Sequence, residues 1–230
     1  MVLCNDIEAM IRKFWWGQRG DQRKIHWKKW DILCQSKSKW GLGFGELGKF
    51  NEAMLAKQVW RLVHDTDSLF YRVFKAKYFP TGSFFGAKAR SGSYAWKNIL
   101  KARKVILLGA CWRIGDRTLV KIFKDSWFPA NNPGRVLSPI SVLSEDAIVD
   151  QLIDSDSRWW NTSLEDSIFL PFKVQLIKSI PIYHSAQEDF LFQPHSRTGM
   201  YQVHSGYNLL CEFHNSDVAS SSDTAGQKKF

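Results

Sequence analysis

Three adjacent carboxylate pairs, Glu145-Asp146, Glu165-Asp166 and Glu188-Asp189, are the residues of this 230-residue chain best suited to hold a divalent cation. Nucleotidyl transfer needs two or three carboxylates converging on Mg²⁺, with an Asp-Asp pair carried on a hairpin. The first two pairs follow Ser144 and Leu164, in settings where negative charge simply favours a helix N-terminus. The third precedes Phe190-Leu191-Phe192, with no hairpin or second acid-bearing strand around it. These pairs therefore predict no catalytic metal site and no enzyme activity. Cys211-x-x-His214, with His195 and His204 upstream, is only half of a zinc set, because a closed tetrahedral site needs four ligands. A buried thiol and solvent-facing histidines are the expectation there. Cys4, Cys34, Cys111 and Cys211 are scattered without a CxxC, as free thiols in a reducing compartment would be. No GxSxG nucleophile turn is present. Gly41-Leu42-Gly43-Phe44-Gly45 lacks the preceding strand and glycine spacing of a phosphate loop, so it reads as a tight turn. No cofactor, metal or small-molecule ligand is expected.

The basic residues carry the stronger signal. Residues 1–130 hold 25 Lys/Arg against 10 Asp/Glu, a formal +15, together with nine of the eleven tryptophans. Residues 131–230 hold 7 against 12, a formal −5. So one-sided a field favours a polyanionic partner, since lysine and arginine displace counterions from phosphates. Arg12, Lys13, Arg19, Arg23, Lys24, Lys28 and Lys29 form the densest group, and Lys57, Arg61, Lys75 and Lys77 extend it along the chain. Trp15, Trp27, Trp30, Trp60 and Trp112 are assigned to core rather than to base stacking.

The elements that must position these groups follow from periodicity. Ile7, Met10, Ile11, Phe14 and Trp15 are spaced for a helix face, ended at Gly17. Lys24–Trp27 reads as a short extended piece before a helix over Lys28–Cys34. The longest helix spans Glu46–His64, burying Ala53, Ala56, Trp60 and Val63 and turning Asn51, Gln58 and Arg61 outward. Asp67 or Ser68 caps a helix over Leu69–Phe79, stopped at Pro80, and Ser93 caps another over Tyr94–Leu108. Alternation in Cys111–Gly115 and Leu119–Phe123 predicts a β-hairpin. Further helices are expected over Glu145–Ile153, Leu164–Ile180 (divided at Pro171) and Ser205–Phe213, the last preceded by a short strand over Met200–Val203. The predicted fold is mainly α with a small β-hairpin: a basic body over 1–130 with the hairpin near 111–123, a Pro/Gly/Asn-rich linker over 131–139, a smaller acidic helical lobe over 140–213 and a disordered tail over 214–230. No apolar run approaches the roughly twenty residues of a membrane span. The first residues carry neither a signal-peptide core nor a transit-peptide composition, which predicts an intracellular setting: nucleus, cytoplasm or mitochondrion.

A family resemblance rests on motifs spread along this framework. Phe14-Trp15-Trp16-Gly17, Lys24-Ile25-His26-Trp27, Gly41-Leu42-Gly43-Phe44, Phe50-Asn51-Glu52-Ala53-Met54-Leu55-Ala56-Lys57-Gln58, Lys75-Ala76-Lys77-Tyr78-Phe79-Pro80, Trp112-Arg113-Ile114-Gly115-Asp116 and Asp125-Ser126-Trp127-Phe128-Pro129 recur in order. Over about residues 8–213 the chain resembles the post-polymerase region of plant LINE-type (non-LTR) reverse transcriptases, and plant mitochondrial reading frames of the same origin. The resemblance implies a helical thumb and connector, lying after the polymerase palm and before a zinc-binding segment and, often, an RNase H domain. It also implies contact with the RNA or RNA–DNA hybrid backbone, since thumbs grip template and primer. Trp40 and Arg117 stand where that family has glycine, and Phe123 and Phe192 where it tends to have tryptophan, as in a drifting copy. The expectation is a non-catalytic nucleic-acid-binding fragment whose affinity resides in residues 1–130, with a scaffold role or no function as the alternative. RNA-versus-DNA preference and oligomeric state are left open by the sequence.

Overall fold

The computed structural model describes residues 2–18, 20, 24–37, 41–89, 92–115, 119–128, 143–154, 156–182, 188–194 and 196–213. Its helices are α1 (Val2–Trp15), α2 (Trp30–Cys34), α3 (Leu47–His64), α4 (Leu69–Tyr78), α5 (Tyr94–Gly109), α6 (Thr162–Ile168), α7 (Pro171–Lys178) and α8 (residues 203–213). Strands β1 (Cys111–Arg113) and β2 (Phe190–Phe192) form a two-stranded antiparallel sheet. The fold is thus mainly helical with a small antiparallel pair. No described helix is long and apolar enough to cross a membrane.

The chain divides into two compact units, Met1–Val105 with Val203–Phe230, and Ile106–Gln202. Residues 106–130 therefore fall outside the basic body in which the sequence placed them, and α8 belongs with it instead. The 131–139 linker and the 214–230 tail lie outside the described residues.

In the first unit α3 is the central rod. Ala53 and Ala56 present almost no side chain, which lets neighbours approach, and Val59, Trp60 and Leu62 complete its buried face. Its N-terminus has no capping side chain of its own; Glu46 makes no cap bond. Instead Glu8 of α1 accepts from the Leu47 N–H at 2.6 Å and the Tyr207 hydroxyl of α8 accepts from the Glu46 N–H at 2.9 Å. Two amides orphaned by helix geometry are thereby satisfied from opposite ends of the chain. Ser68 caps α4 by accepting from the Tyr71 N–H, and Ser93 accepts from the Trp96 N–H at the start of α5. Trp96 anchors an aromatic cluster, stacked on Tyr78 (4.5 Å, 6°) and near-parallel to Phe79 (5.9 Å, 8°), with Phe84 edge-on. The glycine turn is tight as predicted: a Cβ at Gly41 would run into the Gln35 carbonyl, and Gly43 and Gly45 both adopt φ +74°.

In the second unit Ile114, Val120, Ile122, Trp127, Val149, Leu152, Trp160, Ile168 and Ile177 share one core. Trp127 donates to the Ile122 carbonyl at 3.0 Å and Trp160 to the Ile180 carbonyl at 3.1 Å, so both indoles are buried with their polar edge matched. The expected hairpin is corrected here. β1 pairs not with Leu119–Phe123 but with β2, in the register Cys111↔Phe192, Trp112↔Leu191, Arg113↔Phe190. Val120 and Ile122 turn into the core while Lys121 bridges to Ile148. Alternation identifies a face, not a partner. Three boundaries also move. Glu145–Ile153 yields only a 3₁₀ turn over Val149–Leu152, held between the Lys121↔Ile148 and Ile153↔Trp160 bridges. Residues 200–202 form no strand, and α8 begins two residues before Ser205. α2 begins at Trp30 rather than Lys28, with Lys29 extended as its N-cap.

Candidate nucleic-acid interface

The sequence-predicted cations fall into two groups once their partners are known. On α3 and α4 most are engaged. Arg61 donates to Gln58, lies 4.0 Å from Asp65 and sits over the Phe70 ring. Lys75 donates to the Gly82 carbonyl and covers Phe79, and Lys77 lies over the Tyr78 ring. Lys57 also has a partner. On α5, Arg103 clasps the Phe85 and Ala87 carbonyls and Lys104 pairs with Glu52 at 2.9 Å. These charges fasten loops and cover aromatic rings.

The N-terminal group is different. Arg12 turns back to the Glu8 carbonyl, but Lys13, Lys24, Lys28 and Lys29 are exposed and form no ion pair or side-chain hydrogen bond among the described residues. Arg19 and Arg23 lie outside the described residues. What positions the segment is His26. Its ring stacks on Trp16 (5.5 Å, 14°) and meets the Gln18 amide at 2.9 Å, which ties the 24–29 segment to the C-terminal end of α1, where Lys13 sits. The Gln18 amide nitrogen is a donor, so the His26 Nε2 it meets accepts. At the other end Trp30 is buried beside Leu33, Cys34 and Trp16. Between these two anchors the side chains project outward. Trp27 is 79% exposed and Ile25 71% exposed. The assignment of Trp27 to core is therefore corrected, as is that of Trp15, which is exposed although it packs edge-on to Phe44. Trp30 and Trp60 are buried, and Trp112 packs half-buried against the second unit's core.

The groups considered for catalysis have structural settings. Asp189 is buried, and its two oxygens accept from the Gly115 N–H at 2.7 Å and the Leu119 N–H at 2.9 Å, closing the loop after β1. Asp146 binds Lys121 and Lys124, which hold its carboxyl below the usual range, and Glu145 binds Lys124. Glu165, an acid that no sequence pattern marks for burial, is 0% exposed, neither of its oxygens is hydrogen-bonded among the described residues, and desolvation pushes it up to about 7. Among the described residues no three His, Cys, Asp or Glu side chains are grouped to hold a metal ion. A cavity of about 370 Å³ in the first unit, which no motif announced, brings Cys34 and Cys211 together with Glu46, Lys49 and Tyr207. Burial pushes the Cys34 thiol up to about 12, so it is a poor nucleophile. His214, the other half of the CxxH, lies outside the described residues.

Two plant proteins are similar to this chain. The uncharacterized mitochondrial protein AtMg00310 of Arabidopsis thaliana is 37% identical over 134 residues, 57% of this chain and 87% of that protein. The putative ribonuclease H protein At1g65750 of the same plant is 24% identical over 229 residues, 90% of this chain but 34% of that protein. The chain thus spans about a third of that larger relative. No family model and no solved structure matches.

Proposed function

We propose, for a chain that belongs to the same family as the uncharacterized mitochondrial protein AtMg00310, that it is a non-catalytic, retroelement-derived piece of a reverse transcriptase that binds RNA or an RNA–DNA hybrid by its phosphate backbone. One observation carries this reading: Lys13, at the end of α1, and Lys24, Lys28 and Lys29, on the segment that His26 ties to it, are exposed and form no ion pair or side-chain hydrogen bond among the described residues. Four unneutralised ammonium groups there repel one another, and a phosphate chain relieves that repulsion while releasing its own counterions. The larger relative's name, a ribonuclease H protein, supports an RNA–DNA hybrid as a ligand class. The setting of the acids supports the absence of catalysis, since Asp189 closes a loop and Asp146 and Glu145 face lysines.

A second reading, a scaffold role, has its own observation. Leu3, Met10 and Phe14 lie along one side of α1 and are exposed, Phe14 by 85%. The test is titration of full-length protein with RNA over a range of salt. The proposal expects log affinity to fall linearly with log salt, with a slope corresponding to about three to six phosphates. A flat response rejects backbone binding and leaves the scaffold reading.

A further inference from the structure

We infer that Trp27 is a stacking platform for an unpaired base, so that the nucleic acid held by the 24–29 segment is single-stranded there. This rests on the backbone-binding reading and narrows it. His26 turns to Trp16, whereas its chain neighbours Ile25 and Trp27 are left facing water. The indole of Trp27 is 79% exposed and makes no ring contact with any described residue. A large aromatic surface left in water between two anchored residues is a surface waiting for cover.

Charge decides what covers it. Lys24, Lys28 and Lys29 lie within three positions of the ring, and no carboxylate occurs between Asp21 and Asp31. An apolar protein surface meeting Trp27 would bring those ammonium groups against it without counter-charge, at a desolvation cost. A nucleic acid satisfies both chemistries at once, its base on the ring and its phosphates on the lysines. The base must offer a free face, which a continuous duplex hides and a single strand displays. Trp30, three residues on, is buried and unsuited to this role, so the assignment is specific to Trp27.

The experiment compares full-length protein and Trp27→Ala for binding to a short single-stranded RNA of mixed sequence, an abasic strand of equal length and the matching duplex. The parent is expected to favour the single strand with bases over both others. Trp27→Ala should bind it on the order of 5- to 100-fold more weakly, with its salt slope unchanged and its melting curve that of the parent. Trp27→Phe should recover much of the loss. If Trp27→Ala binds the single strand as the parent does, or the abasic strand binds as well as the one with bases, stacking is overturned while the electrostatic reading stands. If none of the three ligands binds with a salt dependence, the backbone reading itself fails and this inference falls with it.

Discussion

The 24–29 segment and the second unit use the same residue types in opposite ways. In the segment a tryptophan and three lysines face water, and among the described residues their side chains have no polar or ring partner. In the second unit Trp127 and Trp160 are buried, stacked 6.1 Å apart, with their N–H groups bonded. There Lys121 and Lys124 face Asp146 and Glu145, and Asp189 serves two backbone amides. Composition therefore locates charge and aromatic mass but not availability. Availability depends on whether the fold has already supplied a partner, and that separates a binding surface from a core.

The contrast can be broken most decisively at the tryptophans. Trp127→Ala should destabilise the second unit by about 3–5 kcal/mol, since a 2%-exposed indole leaves a cavity and an unmatched Ile122 carbonyl. Trp27→Ala, by the same denaturant melt, should stay within about 0.5 kcal/mol of the parent. Equal losses would erase the distinction between the two regions. Asp189→Ala comes next, at about 1–3 kcal/mol for each amide left unpaired at Gly115 and Leu119. Melting unchanged in this variant would show that the loop does not depend on the carboxylate.

Glu165 sharpens the contrast by pH. Its folded pKa of about 7 lies above the ordinary 4.5, because burial disfavours the carboxylate more than nearby Lys178 favours it. The folded state thus keeps a proton that the unfolded chain releases. Stability contributed by this group is greatest below about pH 4.5, falls between there and about 7, and is level above, at up to roughly 1.4 kcal/mol per pH unit. Glu165→Gln should remove that fall, so the variant gains on the parent at pH 8 and matches it near pH 4. Parallel stability curves for the two proteins across that range would contradict the burial.

Much of the helical framework was legible in the sequence because its signals are local. Ser68 and Ser93 cap where they stand, Pro171 starts α7 at its first turn, and Ala53, Ala56 and Trp60 reveal a helix face by spacing alone. What failed was non-local. Nothing within Cys111–Arg113 says that its partner lies at Phe190–Phe192, and a nearer alternating run was the more economical choice. The exposure of Trp27 was hidden for a related reason. It is set by the contacts of its neighbours, His26 on Trp16 and Trp30 beside Leu33, rather than by any pattern through Trp27 itself. The candidate surface was thus found by charge density, while its limits emerged only when Arg61, Lys75, Lys77 and Arg103 proved to have partners.

The most direct test of the claim that unpartnered lysines grip phosphate is the salt dependence of RNA binding by full-length protein and by the Lys24→Ala, Lys28→Ala, Lys29→Ala triple variant. If each lysine meets one phosphate of a single strand, the triple variant should lower the log–log slope by about 2 while its melting curve stays close to the parent's. An unchanged slope, with affinity intact, would place the phosphate contacts elsewhere and contradict the account.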